Sequence, residues 1–323
     1  MEGEGPLYAS QGYKAFMLRS TPLYLLVILC TLGCRSVPAG TATPDAVAPQ
    51  PGSQLEQPPP PGLSVKTEDP CGDAPADLEP WLSEGLLVLG EYHGTLESPR
   101  AVVQALCAAS ASGRRAWLAL EFPRDEQQRM ESFLATGDEA ALLESPFWRR
   151  DYQDGRSSQA MLGLLGEVRR LRGAGREVRL LAVDAPLQED DGGKERDEHM
   201  AERIAEVRTR APAEPMVFLV GNLHATRRLI IPRSAVWRLV KRGVSLKTLT
   251  LEARDGTAWL CGATCGVNTM RGPDLGTEPG ILETERATKG GYDGVWYLVT
   301  VTASPPAWAP PPLGRSGREQ SGR

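Results

Sequence analysis

Residues 86–95 read LLVLGEYHGT, an apolar run that passes directly into a polar motif. The run LLVLG is short, continuous and closed by a glycine, which is typical of a β-strand buried on both faces. Such a strand needs helices on both sides of its sheet. The polar motif that follows carries Glu91 and His93. This segment therefore predicts an α/β fold with candidate functional residues at the end of a strand.

Further apolar runs predict strands elsewhere in the chain, at residues 117–121, 178–184, 216–221 and 295–299. Residues 245–252 (SVKTLTLE) alternate between polar and apolar side chains, which predicts an exchanged or edge strand. Helical patterns lie between these runs, at residues 99–111, 125–134, 161–171 and 194–208. This alternation predicts a central, mainly parallel sheet flanked by helices, in a single α/β domain at residues 77–303.

The amino terminus has the features of an export signal. Two basic residues precede an apolar segment at residues 22–32, which is too short to span a bilayer comfortably. The sequence TLGC, which ends at Cys34, resembles a bacterial lipobox with Cys34 as the lipidated residue. We therefore expect residues 1–34 to be a signal peptide, and the protein to be exported and lipid-anchored in the cell envelope. A start at Met17 and an uncleaved anchor helix are the alternatives.

Low-complexity sequence flanks the predicted domain. Residues 35–76 are rich in Pro, Ala, Gly, Thr and Gln, and residues 304–323 combine a proline run with a polar end. Such segments lack the apolar side chains that would offset the entropy cost of ordering the chain. We predict a disordered tether before the domain and a disordered tail after it.

The charge balance argues against a nucleic-acid partner. The chain carries 36 basic and 41 acidic residues, a net charge of −5, with no basic stripe interleaved with aromatic residues. We expect a small-molecule or peptide substrate as the partner of the domain, and the membrane as the partner of the lipid anchor.

The cysteines outside the export signal would lie in an oxidising compartment. Cys107 belongs to an apolar run, AVVQALCAA, and is expected to be a buried small hydrophobe. Cys261 and Cys265 are separated by Gly-Ala-Thr, and a small disulfide loop is favoured there over a metal site.

Polar side chains follow four of the predicted strands, at the point where each strand ends. They are Glu91 with His93, Glu121, Asp184, and Asn222 with His224. In an open α/β sheet the ligand site lies beyond the carboxyl ends of the strands, so we expect these side chains to meet in one crevice. His93 and His224 also share the spacing Gly-x-x-His, in a chain with three histidines.

Two histidines and several carboxylates suit either of two chemistries. His93, His224 and Glu91 could bind a divalent metal that activates water. Alternatively, a histidine oriented by a carboxylate could act as a general base without metal. Arg196 could clamp a substrate carboxylate or stabilise negative charge, and Asp197 could orient Arg196 or pair with His224. The candidate catalytic residues are Glu91, His93, Glu121, Arg196, Asp197 and His224.

Three residues near these motifs have weaker functional interpretations. His199 lies in a charged helical segment and is expected to be a solvated or supporting residue. Arg156 closes a predicted turn, Asp-Gly-Arg, that could place it over the crevice. Tyr92 is a candidate haem ligand, although a tyrosine at this position more often packs.

The motifs together resemble a superfamily that joins erythromycin-esterase-like enzymes, haem-binding ChaN lipoproteins and Tiki/TraB metalloprotease-like proteins. The resemblance is carried by residues 90–99 (GEYHGTLESP), Glu121, residues 196–200 (RDEHM), residues 221–224 (GNLH) and residues 293–298 (DGVWYL). It covers roughly residues 84–300 and implies the same α/β fold. It leaves the activity open, because sites of different function are built on one fold.

Each branch of the superfamily implies a different role for the same residues. Similarity to Tiki-like proteins implies a metal-dependent hydrolase with His93 and His224 as ligands and Glu91 or Glu121 assisting. Similarity to the esterases implies His93 as general base, and similarity to ChaN implies a lipoprotein that binds haem through a tyrosine. The first hypothesis is an envelope-anchored hydrolase of an ester or amide bond. The alternatives are a haem-binding lipoprotein without catalytic activity, and a catalytically silent domain that binds a partner.

Overall fold

A computed structural model of the chain describes Cys71 and residues 77–187, 195–228 and 233–308. The predicted signal peptide with Cys34 lies outside the described residues, as do most of the predicted tether and residues 309–323 of the predicted tail. No helix among the described residues is long and apolar enough to cross a membrane.

The described residues alternate between strands and helices along most of their length. The strands are β1 (Leu86–Glu91), β2 (Ala116–Pro123), β3 (Val178–Asp184), β4 (Met216–Gly221), β5 (Lys247–Glu252), β6 (Asp255–Cys261), β7 (Cys265–Arg271), β8 (Gly280–Leu282), β9 (Gly294–Tyr297) and β10 (Thr300–Val301). The helices are α1 (Glu79–Leu82), α2 (Glu97–Ala109), α3 (Gln127–Thr136), α4 (Glu139–Leu143), α5 (Pro146–Arg149), α6 (Gln159–Gly173), α7 (Arg196–Arg210), α8 (Asn222–Ala225), α9 (Ala235–Lys241) and α10 (Glu285–Gly290).

A seven-stranded sheet in the order β3-β2-β4-β1-β5-β9-β8 forms the centre of the domain. Neighbouring strands of this sheet are parallel, except that β8 runs antiparallel to β9. Strands β6, β7 and β10 form a separate three-stranded sheet. The predicted α/β fold with a mainly parallel central sheet is confirmed.

Helices cover the central sheet on both faces, as the apolar run of β1 predicts. Leu87 and Leu89 belong to the core that includes buried side chains of α2, α3 and α6. Leu86 and Val88 point to the opposite core, which includes buried side chains of α7 and α9. Full burial of each such side chain stabilises the fold by about 1.5–3 kcal/mol. These two layers fix β1 in the middle of the molecule and so fix the position of the residues that follow it.

Strand β5 lies inside the sheet, between β1 and β9, so the predicted exchanged or edge position for residues 245–252 is wrong. Its alternation arises because Thr248 and Thr250 are buried polar side chains. The Thr248 hydroxyl accepts a hydrogen bond from Arg227 at 2.8 Å and donates to Asp293 at 3.2 Å. A buried hydroxyl is tolerated in a sheet when it has hydrogen-bond partners. The alternation of polar and apolar residues in the sequence does not reveal those partners.

The cysteine predictions differ in outcome. Cys107 is buried, as predicted, but it also forms a disulfide with Cys71, which its interpretation as a small hydrophobe did not include. Cys261 and Cys265 form the predicted disulfide, which links the facing ends of β6 and β7.

The packed chain continues past the predicted domain boundary at residue 303. Ser304 is fully buried, and its hydroxyl accepts a hydrogen bond from the backbone N–H of Ala160 at 2.9 Å. Pro306 forms an isolated bridge with Ser158, the residue whose side chain caps α6.

Candidate active site

The carboxyl ends of β1, β2, β3 and β4 lie side by side in the central sheet. Glu91 is the register partner of Gly221 across β1 and β4, and β2 joins β4 to β3. Parallel strands place their carboxyl ends at one edge, where polar side chains can converge. The structure therefore brings together the side chains of Glu91, His93, Glu121, Asp184, Arg196, Asp197 and His224, as their contacts show.

The carboxylate of Glu121 lies at the centre of this site, between two imidazoles. Its Oε2 is 3.4 Å from Nε2 of His93, and its Oε1 is 3.9 Å from Nε2 of His224. Oε2 also accepts the backbone N–H of Gly221 at 2.8 Å. Glu121 is buried, so these contacts replace the water that an ionised carboxylate would otherwise need. A side chain at Gly221 would meet Nε2 of His93 at 3.0 Å, so glycine keeps the centre open.

A second carboxylate holds each histidine from the opposite side of its ring. Nδ1 of His93 lies 3.0 Å from Oε1 of Glu91, and Nδ1 of His224 lies 2.8 Å from Oδ1 of Asp197. A carboxylate can only accept, so each Nδ1 carries the proton and each Nε2 faces Glu121. Of the two roles predicted for Asp197, the structure shows the pairing with His224.

Two arginines neutralise the carboxylates behind the histidines. Nε of Arg196 donates to Asp184 at 2.8 Å, and its Nη2 donates to Glu121 at 2.7 Å. Nη1 of Arg156 donates to Asp184 at 2.8 Å and lies 3.3 Å from Glu121. Arg196 therefore binds carboxylates of the protein itself rather than standing free to clamp a substrate carboxylate.

Arg156 reaches the site because the turn before it packs directly on the loop of His93. Gly155 has φ +94°, a conformation that L side chains rarely adopt. A Cβ at this position would meet the backbone N of Gly94 at 2.5 Å and the carbonyl carbon of His93 at 2.8 Å. The Asp-Gly-Arg turn in the sequence predicted that Arg156 could lie over the crevice. The structure places Arg156 in contact with the predicted site residues Glu121 and Asp184.

The charges of the site favour a protonated His93 beside an ionised Glu121. Burial would lower the pKa of His93, but Glu121 and Glu91 outweigh it and raise that pKa to about 10. Burial would raise the pKa of Glu121, but His93, Arg156 and His224 hold it well below its usual range. At neutral pH the site therefore contains an imidazolium at His93 and a carboxylate at Glu121.

The predicted metal ligands do not fit one ion. Glu91 contacts Nδ1 of His93, on the far side of the ring from the Nε2 that faces Glu121. The carboxylate that does lie between the two histidines, Glu121, already accepts hydrogen bonds from Gly221 and Arg196. Within the described part of the chain, no group of three or more His, Cys, Asp or Glu side chains is arranged to hold a metal ion.

Four further residues lie near the site residues in the sequence, and two of them are exposed. Tyr92, directly after β1, is 44% exposed, and Leu223, in α8, is 49% exposed; each directly precedes one of the two site histidines in the sequence. Asn222 accepts a hydrogen bond from the Tyr292 hydroxyl through its backbone carbonyl. His199 is buried in α7 rather than solvated, which leaves a supporting role.

No protein-family model and no curated protein matches the chain. A succinoglycan biosynthesis protein is similar in structure, with a TM-score of 0.56 at 10% identity over 74% of this chain and 94% of that one. A mutant of erythromycin esterase EreC in its open conformation has a TM-score of 0.44 at 12% identity, over 60% of this chain and 78% of that one. ChaN of Campylobacter jejuni with cofacial haem has a TM-score of 0.32 at 10% identity, over 54% and 84%.

At these identities the likeness concerns the fold alone. Of the three groups that the sequence motifs resemble, the erythromycin esterases and the ChaN proteins each have a member among these structures. The chain therefore has an α/β fold shared with the succinoglycan biosynthesis protein.

Proposed function

We propose that the domain is a hydrolase that cleaves an ester or amide bond by histidine-based acid–base catalysis. The observation that carries the proposal is the arrangement of His93 and His224, whose Nε2 atoms lie 3.4 and 3.9 Å from the Glu121 carboxylate while a separate carboxylate holds each Nδ1. Two oriented imidazoles at one point supply the proton acceptor and the proton donor that hydrolysis needs.

His224 is the general base in this proposal. Asp197 fixes its tautomer at Nδ1, so its Nε2 can take a proton from an attacking water. The same carboxylate then stabilises the imidazolium that forms. A positioned base of this kind contributes roughly 10²–10⁴-fold to the rate.

His93 is the acid, because its pKa of about 10 keeps it protonated at neutral pH. It can stabilise the negative charge that develops on the substrate oxygen and pass its proton to the leaving group. Glu121 stays ionised throughout and balances the charge of both imidazoles. This assignment reverses the role of His93 that the esterase resemblance implies.

Turnover of chromogenic substrates by the purified protein tests the proposal. We expect hydrolysis of p-nitrophenyl acetate, p-nitrophenyl butyrate or alanine p-nitroanilide above the uncatalysed rate. His93→Ala and His224→Ala should each abolish it with an unchanged circular dichroism spectrum, whereas His199→Ala should retain it. The proposal fails if the wild type turns over none of these substrates, or if both site variants retain activity.

Haem binding is the second candidate function, and the 44% exposure of Tyr92 is the observation that favours it. Tyr92 would hold the iron, and haem would supply redox or carrier chemistry at the mouth of the site. Titration with haemin should then shift the Soret band in the wild type and in His93→Ala, and the shift should weaken in Tyr92→Phe. A flat titration excludes this function.

We propose further that the protein is exported and lipid-anchored through Cys34. The TLGC sequence supports the anchor, and the disulfides Cys71–Cys107 and Cys261–Cys265 agree with an oxidising compartment. Cys34→Ala should move the protein from the membrane fraction to the soluble fraction of a cell lysate. An unchanged membrane fraction would argue against lipidation.

A further inference from the structure

A cavity of about 620 Å³ lies along β3, at the opposite end of that strand from Asp184. It is lined by Val178–Leu181 of β3, by Trp117 of β2, and by side chains of α3, α6 and α7. Ligand pockets for small molecules measure about 300–1,000 Å³, so the size suits a ligand of that class. This cavity contains none of the histidines or carboxylates of the candidate active site.

Arginine dominates the lining of this cavity. The positive side chains are Arg172, Arg176, Arg179, Arg203 and Arg210, and the negative ones are Glu131 and Glu177. Glu131 is already paired with Arg172 at 2.9 Å, and Glu177 with Arg115 at 2.6 Å. The cavity is therefore positively charged in a chain whose net charge is −5.

Two of these arginines have donors to spare for a ligand. Arg179 lies 5.4 Å from the centre of the Trp117 ring and has no carboxylate partner among the described residues. Nε of Arg203 is buried without a hydrogen-bond partner in the described part of the chain, and its Nη1 lies 3.5 Å from Glu206. A buried N–H without an acceptor is unfavourable, so an anionic oxygen at this point would satisfy it.

Side chains close the free edge of β3, so this surface is not open to an added strand. Gln127 donates to the carbonyl of Leu180 at 3.0 Å and accepts from the N–H of Ala182 at 2.8 Å. Nε of Arg172 donates to the carbonyl of Val178 at 2.6 Å. An extended peptide would have to displace these bonds to pair with the edge, which leaves charge as the means of recognition.

We propose that this cavity binds a soluble, multiply charged anion that carries phosphate or carboxylate groups. Guanidinium groups bind both kinds of oxyanion through paired N–H donors. Arg203 and Arg179 provide the free donors, and the remaining arginines keep the potential positive. The site stands apart from the proposed hydrolase chemistry and does not depend on it.

Isothermal titration calorimetry of the full chain with sodium pyrophosphate tests the proposal. We expect saturable binding whose affinity falls at least about tenfold in Arg203→Gln and in Arg179→Gln. Arg100→Gln removes the same charge from α2, in a different cavity, and should leave the affinity unchanged. An absence of saturable binding, or an equal loss in all three variants, would overturn the proposal.

A second experiment, co-sedimentation with lipid vesicles, distinguishes a soluble anion from a lipid headgroup as the ligand. The protein should not bind phosphatidylglycerol vesicles through this cavity. Any co-sedimentation with the vesicles should therefore be the same for Arg203→Gln and the wild type. Sedimentation that depends on Arg203, without binding of pyrophosphate, would identify a membrane surface instead and contradict the proposal.

Discussion

Asp197 accepts a hydrogen bond from Nδ1 of His224 at 2.8 Å, and the same carboxylate oxygen accepts the backbone N–H of Ala235. Asp197 lies in the first turn of α7, and Ala235 is the first residue of α9. The orientation of His224 is therefore fixed by the packing of two helices rather than by its own short helix, α8. This makes Asp197 the residue on which the proposed base depends.

Asp197→Asn should lower kcat by about 10²–10⁴-fold with p-nitrophenyl acetate as the substrate. The amide keeps the size of the side chain, but it can offer an N–H where a carboxylate oxygen is needed, which favours the wrong tautomer of His224. Glu206→Gln removes a carboxylate from the exposed side of the same helix and is the matched control. An Asp197→Asn enzyme as fast as this control would remove Asp197 from the mechanism.

His93 should stay protonated at pH values well above the ordinary pKa of a histidine side chain. Its folded pKa of about 10 lies above 6.5, so its protonation stabilises the folded state fully below pH 6.5, and this contribution is lost as the pH rises through 10. NMR titration can follow it, since the chain has three histidines. In Glu121→Gln the pKa of His93 should fall toward 6.5. Titration of His93 near 6.5 in the wild type would contradict the charge assignment.

Gly155→Ala should damage the site through the backbone. The new Cβ would meet the loop of His93, and the positive φ adds strain, so we expect a loss of about 2 kcal/mol in the free energy of unfolding together with reduced turnover. Gly166→Ala in the middle of α6 meets no neighbour and should raise that free energy by about 0.5–1 kcal/mol. Chemical denaturation of both variants makes the comparison, and equal stabilities would show that the turn does not constrain the loop.

The Cys71–Cys107 disulfide should contribute strongly to stability. It closes a loop across a sequence separation of 36, for which chain entropy predicts a contribution of about 3–4 kcal/mol. Replacing both cysteines by alanine should therefore lower the free energy of unfolding by that order in urea denaturation, with turnover retained at low temperature. An unchanged midpoint would mean that the bridge adds nothing to the folded domain.

The sequence predicts the fold well because local patterns determine it. An apolar run buried on both faces, as in β1, requires covering helices, and parallel strands place Glu91, Glu121 and Asp184 at one edge. The position predicted for β5 was wrong because the hydroxyl of Thr248 finds hydrogen-bond partners inside the sheet. A pattern of polar and apolar residues does not show whether a polar side chain has such partners.

Non-local contacts explain what the sequence leaves open. Arg156 enters the site from a turn, and only the close approach of Gly155 to the His93 loop brings it there. The partner of Cys107 lies far away in sequence, at Cys71. The roles of the two histidines depend on which carboxylate meets which ring nitrogen, and no spacing along the chain encodes that choice.

Rescue of His224→Ala by free imidazole tests the central assignment most directly. If His224 is the base that activates water, imidazole in solution should restore part of the lost turnover of p-nitrophenyl acetate, beyond its own background reaction with the ester. The restored rate should rise as imidazole loses its proton, because only the neutral form can act as a base. Turnover of His224→Ala that equals the wild type without imidazole, or a restored rate that falls as imidazole is deprotonated, would contradict the proposed mechanism.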